Sequence, residues 1–97
     1  MVILIKKTIQ EFALKYPASA PALNKWYDVV RKANWSHFSD VRKDFNSVDY
    51  IANDRYVFNI KGNDFRIVAM IFFDKRTVFI RFVGTHREYD KIDCSII

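Results

Sequence analysis

Arg66, Arg81, His86 and Tyr89 lie within twenty-four residues of one another, with Asn59 and Lys61 just upstream. Arginine can grip a phosphate through two parallel hydrogen bonds, while histidine and tyrosine can hold or move protons. That set suits RNA cleavage by internal transfer. The ribose 2′-hydroxyl attacks its own 3′-phosphate and a base takes the hydroxyl proton. A cation stabilises the crowded phosphorane, and an acid protonates the leaving 5′-oxygen. No metal is required, and two histidines and one cysteine without ligand spacing do not suggest a metal site. Each residue also has a plainer role. Arg66 could pair with Asp64 or Asp90 at a sheet edge, and His86 could be structural at a strand end. Tyr89 could be a core aromatic with its hydroxyl on a carbonyl, and Arg87 and Lys91 could be solvated charges. His37 takes no role. Function is argued from convergence on one face.

That convergence depends on strand register. From Tyr56 onward the sequence reads as three strands. Lys61-Gly62-Asn63-Asp64 suits a two-residue II′ hairpin turn, which sets Ile60 opposite Phe65 and Asn59 opposite Arg66. Tyr56, Phe58, Ile60, Phe65, Ile67, Ala69, Ile71 and Phe73 then share an apolar face. The next hairpin has two candidate registers. If Phe73 pairs with Val78, then Val78, Ile80, Phe82 and Gly84 join the apolar face. Arg81 lies on the other face with Arg66, and Arg66 sits opposite Thr85. If Phe73 pairs with Thr77, Arg81 is driven into the core beside Ala69, which strands a guanidinium at a cost of several kcal/mol. The first register is therefore expected. It places Asn59, Lys61, Arg66 and Arg81 on one face, with Val68, Met70, Phe72, Phe79 and Val83 filling the remainder.

The elements upstream supply cover for the apolar face. Val2 to Ile5 reads as a short strand. Ile9, Phe12, Ala13 and Tyr16 recur at helical spacing, which predicts a helix over Thr8 to Tyr16 that Pro17 ends. Leu23, Trp26, Tyr27 and Val30 repeat the spacing, with Ser19 as N-cap and Pro21 in the first turn. These two helices form a hairpin. Asn34 to Asp49 is expected to be a covering loop with a short helical turn near Ser39 to Lys43.

Residues 1–97 make one domain, because so short a chain does not divide into two cores. Half of the residues are hydrophobic and only four are Gly or Pro, which argues against disorder. The net charge of +5 is compatible with a nucleic-acid partner. A single cysteine, Cys94, cannot form an internal disulfide and fits a reducing cytoplasm. No stretch is long and apolar enough for a membrane span or signal peptide.

Tyr56-Val57-Phe58-Asn59, Gly62-Asn63, Arg66-Ile67-Val68-Ala69, the Phe72-Phe73 pair and Thr85-His86-x-Glu88-Tyr89-Asp90 resemble the HigB branch of the RelE-like toxins. So does the helix ending in Lys15-Tyr16-Pro17. The resemblance runs along almost the whole chain. It implies an α+β, RelE-like fold: a small antiparallel sheet, an N-terminal helical hairpin packed on one face and a short C-terminal helical segment. It implies a cytoplasmic, ribosome-dependent mRNA endonuclease that cuts in the ribosomal A site without metal or cofactor. It also implies a partner antitoxin, HigA-like, with a helix-turn-helix domain. By position, Arg66 matches the strand arginine set against the scissile phosphate. His86 and Tyr89 fall where such enzymes keep acid–base residues, with the base and the acid left unassigned. Asn59, Lys61, Asn63, Arg81, Arg87 and Lys91 are expected to hold RNA. The alternative is a non-catalytic ribosome- or RNA-binding module that blocks translation by occupancy, using the aromatic and cationic side chains as a stacking surface.

Overall fold

A computed structural model describes Met1–Ile97. The elements in order are β1 (Val2–Leu4), α1 (Lys6–Lys15), a 3₁₀ turn (Pro17–Ser19), α2 (Ala20–Lys32), α3 (Phe38–Asp44), β2 (Asp49–Ala52), β3 (Arg55–Ile60), β4 (Phe65–Phe72), β5 (Thr77–Thr85) and α4 (His86–Tyr89). The strands form one sheet in the order β1-β5-β4-β3-β2. Strands β2 to β5 are antiparallel neighbours, and β1 joins the β5 edge in parallel. This is the α+β, RelE-like architecture the sequence suggests, with a strand added at each edge of the three-stranded centre.

The helical hairpin forms because its apolar stripes need the sheet. Ile9 and Phe12 of α1 and Leu23, Trp26 and Val30 of α2 are all buried. Tyr16, restricted by the proline that follows it, leaves the helix at φ −125°, ψ 80° and ends α1. Ser19 does not cap α2 as expected. Its hydroxyl donates instead to the Tyr16 carbonyl at 2.6 Å, which stabilises the tight corner between the helices. In the irregular stretch, α3 forms where a helical turn was expected. Its start is fixed by Asp40, whose carboxylate accepts the backbone N–H groups of Ser36 and His37 at 2.8 and 3.2 Å. The core runs from Trp26 edge-on to Phe58, and from Phe58 edge-on to Phe45.

The β3–β4 hairpin has the expected register, with Ile60 opposite Phe65 and Asn59 opposite Arg66. The turn is less regular than the two-residue II′ form expected: Gly62 is at φ 67° and Asp64 N–H bonds to the Lys61 carbonyl at 3.3 Å, but Lys61 is itself left-handed at φ 53° and the ladder ends at Ile60–Phe65. The β4–β5 hairpin keeps neither candidate register throughout: from Phe65 to Val68 it follows the rejected one, with the offset of Phe73 opposite Thr77, and from Ala69 to Phe72 it follows a third. Phe72 pairs with Thr77, Ile71 with Val78 and Ala69 with Ile80; the pairing then shifts, so that Val68 faces Phe82, Ile67 faces Val83 and Arg66 faces Gly84. Arg81 is the extra, unpaired residue of a bulge. The physical reason is the one that separated the two registers. A continuous ladder matching the second half would bury Arg81, and the bulge leaves it exposed. The shift changes the face of three residues. Phe82 and Gly84 leave the helix-covered face for the Arg66 face, and Val83 packs against the core instead. Arg66 is opposite Gly84, not Thr85.

Gly84 matters at that crossing. A Cβ there would sit 2.3 Å from the Phe82 ring, which lies across the glycine. Gly84→Ala must displace the ring and should destabilise the protein by about 1–3 kcal/mol, as overpacking does. Thermal melts should show a fall of about 4–8 °C for each kcal/mol. An unchanged melting temperature would show that the ring moves freely.

Candidate active site

Arg66 is the second residue of β4, on the face away from α1 and α2. The Tyr89 ring covers its guanidinium, with Cζ 4.6 Å from the ring centroid. The protein has two Lys/Arg–carboxylate pairs, Lys7–Glu11 and Asp28–Arg31, and a His86–Asp90 contact, and Arg66 is in none of them. Its Nε is buried without a hydrogen-bond partner. Neither Asp64 nor Asp90 takes the role of counter-ion to it. A half-buried guanidinium with unused donors is a site with anion-binding capacity in hand.

Tyr89 is positioned by α4, a single turn with its own start signal. Thr85 Oγ1 accepts Glu88 N–H at 3.1 Å, and Glu88 Oε1 accepts Thr85 N–H at 2.9 Å. The N–H of His86 bonds to the Asp64 carbonyl at 3.2 Å, tying α4 to the end of the β3–β4 hairpin two residues from Arg66. The Tyr89 hydroxyl lies 3.4 Å from the Cys94 sulfur. Burial, reinforced by that contact, pushes the phenol above its ordinary value, against the opposing pull of Arg66. Tyr89 therefore holds its proton at neutral pH. The folded protein binds this proton more tightly than the unfolded chain does. The resulting stabilisation is present below the ordinary phenol value and is lost as pH rises through the raised one. Tyr89→Phe should show a shallower loss of stability than the native protein above about pH 10, in denaturant melts across a pH series. Equal slopes would contradict this environment for Tyr89.

His86 faces solvent on α4. Its Nδ1 is 3.1 Å from Asp90 Oδ2, one helical turn on, with both side chains about half exposed. With Nδ1–H donated to the carboxylate, the Nε2 lone pair is left open toward solvent. Among the remaining candidates, Asn59 is directly opposite Arg66 on β3. Arg81 projects from the bulge, its guanidinium 5.2 Å from the Phe79 ring. Arg87 and Lys91 are exposed on α4 and the turn after it, and Asn63 is exposed at the hairpin tip. Lys61 sits apart from the Arg66 cluster: it lines a hollow of about 240 Å³ between α2 and β3, with Lys25, Trp26 and Asp44. Two neighbours of the cluster went unnoticed in the sequence. Asp90 figured there as a possible partner of Arg66 and in the family motif, although its i, i+4 spacing from His86 was readable. Cys94 figured only as a lone cysteine, because its contact with Tyr89 depends on how the chain folds back after α4.

The cluster lies at the surface, on the sheet face away from α1 and α2. The three surface hollows are elsewhere, between α1 and α2, between α2 and β3, and between α1, β5 and α4. No group of His, Cys, Asp or Glu is placed to hold a metal ion. No helix is long and apolar enough to cross a membrane.

Residues 19–92 match the HigB toxin family, described as the RelE-like toxic component of a toxin–antitoxin system. Among curated proteins, the mRNA interferase HigB of Escherichia coli O6:H1 is 34% identical over 94 residues, covering 95% of this chain and 91% of its own. The mRNA interferase toxin HigB of Escherichia coli strain K12 and the mRNA interferase HigB of Shigella flexneri are each 34% identical over 92 residues, covering 93% of this chain and 88% of theirs.

Proposed function

The chain belongs to the HigB family of RelE-like toxins, and from that membership we propose that it is an mRNA interferase, an endoribonuclease whose cutting of message inhibits translation. The observation that carries the site assignment is the half-buried Arg66 guanidinium, without a carboxylate partner and held under Tyr89. In this reading the scissile phosphate takes the place of the missing counter-ion. Arg66 donates to the non-bridging oxygens and stabilises the charge that builds on them in the phosphorane. His86, with Nε2 free, takes the proton of the attacking 2′-hydroxyl. Tyr89, which keeps its proton at neutral pH, delivers one to the leaving 5′-oxygen. The products are a 2′,3′-cyclic phosphate and a 5′-hydroxyl. Base, cation and acid come from side chains, so no metal takes part in the step.

Asn59, Arg81, Arg87 and Lys91 hold the RNA backbone or ribosomal RNA around the cluster, with Lys61 and Asn63 at its margin. A cluster at the surface suits a strand presented by another body, which is how the ribosomal A site offers a codon. A partner antitoxin with a helix-turn-helix domain keeps the cytoplasmic toxin silent.

The chemistry is tested by a message carrying a single 2′-deoxynucleotide at a mapped cleavage position, in a purified translation system. Cutting at that position should disappear while neighbouring sites are still cut. Undiminished cutting at the deoxy position would sink the internal-transfer mechanism.

A further inference from the structure

The face that carries Arg66 has no helix on it, yet Val57 and Val68, paired with each other in its middle, are 4% and 0% exposed. Neither belongs to the core cluster beneath the helices. The C-terminal segment after α4 runs along this same face, pinned at both ends. At one end the Tyr89 ring lies on Arg66 and its hydroxyl meets Cys94. At the other, Asn53 Nδ2 donates to the Ser95 carbonyl at 3.2 Å, and Arg55 donates to the Ile97 carbonyl from Nε at 3.1 Å and from Nη2 at 2.5 Å. The pins are spaced by the sheet. Asn59 is opposite Arg66 and Arg55 is opposite Met70, so the segment spans four residues of β3, about 13 Å.

The clasp is itself braced. Ala52 pairs with Arg55, and Asn53 and Asp54 between them have φ of 50° and 64°, the paired left-handed conformation of a I′ hairpin turn. The remaining guanidinium nitrogen of Arg55 donates to the Asn53 carbonyl at 3.0 Å. The fork is thus fixed to a rigid turn and spends its donors on backbone carbonyls. Nothing else in the structure ties residues 95–97 to the sheet by a side-chain hydrogen bond. Tyr89 projects from a single helical turn, which has little stability of its own.

We infer that Arg55, assisted by Asn53, is a positioning residue: by holding the carbonyls of Ser95 and Ile97 it keeps the C-terminal segment on β3 and so holds Tyr89 against Arg66. The inference rests on the reading of Arg66 and Tyr89 as catalytic. It assigns Arg55 no contact with RNA.

Cys94 is the only cysteine and touches Tyr89, so its alkylation by iodoacetamide reports the clasp without reference to activity. Arg55→Ala should raise the alkylation rate about tenfold, the change in open fraction expected for losing two carbonyl contacts. In the same protein, kcat for message cleavage should fall about tenfold or more, with KM within about threefold of native, because a mispositioned group damages the step more than binding. Arg55→Lys, which keeps the charge and a single donor nitrogen, should recover part of both. Asn53→Gly preserves the left-handed turn while removing one pin, and should shift both readouts in the same direction by less; it serves if Arg55→Ala folds poorly. Alkylation at the native rate in Arg55→Ala, or faster alkylation with native kcat, would overturn the positioning role. An Arg66→Met protein assayed alongside separates the two readings. If it cuts like the native protein, the catalytic assignment itself falls and this inference with it; if it is inactive while Arg55→Ala keeps native kcat, only the positioning role falls.

Discussion

Replacing Arg66 with methionine is expected to lower mRNA cleavage by about 10²–10³-fold, the scale of removing one preorganised donor from a charged transition state. Stability should change by no more than about 1 kcal/mol. The two halves of the expectation come from the same geometry. Methionine retains the unbranched stem and loses only the charge over Tyr89, worth about 1 kcal/mol at a partly exposed site. Against that loss, the substitution removes a buried Nε that has no partner. A residue kept for folding would show the reverse pattern, with its donors satisfied and stability lost on removal. Lysine should rescue little, because a point charge cannot present the paired donors that match a phosphate. Single-turnover cleavage in a purified translation system, beside thermal melts of both variants, measures both quantities.

The second large effect is on the fold. Phe58 is 1% exposed and stands between Trp26 of α2 and Phe45 after α3, edge-on to both at 5.3 and 5.2 Å. Phe58→Ala should cost about 3–5 kcal/mol through lost burial and the cavity left behind. A domain of this size is stable by only about 5–15 kcal/mol. The melting temperature should therefore fall by roughly 12–40 °C at 4–8 °C per kcal/mol. Activity should disappear with the fold, and calorimetry would separate this from the Arg66 case. A fall of only a few degrees would mean that the helical layer is not anchored through this ring.

The difference between the two hairpins of the central sheet shows how far residues alone reach. Gly62-Asn63 admits few turn geometries, so the β3–β4 register could be read and Asn59 placed opposite Arg66. Between β4 and β5, Phe73 to Arg76 form a four-residue loop with Arg76 at φ 51°, a conformation its residue type does not advertise. The alternation of apolar residues then misleads. Val78 and Ile80 face the core and so does Val83, an odd step that only a bulge can absorb, and the cost of burying Arg81 forces the bulge to that residue. The penalty for burying Arg81 acts as expected, but on a ladder broken by a bulge. Strand β2 is short and polar at its start, although Asn53-Asp54 after it is an acceptable I′ turn. The tail was illegible for a different reason. The residues that pin it, Asn53, Arg55 and Arg66, are far away in sequence, and nothing local in Ile92 to Ile97 calls for a sheet beneath it. Hence Arg66, His86 and Tyr89 could be singled out as a group, while Asp90, Cys94 and Arg55, which determine how they stand, needed the fold.

The central expectation is a cut made in translated message by the Arg66 cluster. Primer extension on a reporter mRNA after brief induction of the chain in cells, beside the Arg66→Met variant, tests it most directly. Discrete new 5′ ends within translated codons, absent from the variant, are the predicted result. Intact message with translation arrested would contradict it, and would leave the Arg66 face as a surface that blocks the ribosome by occupancy.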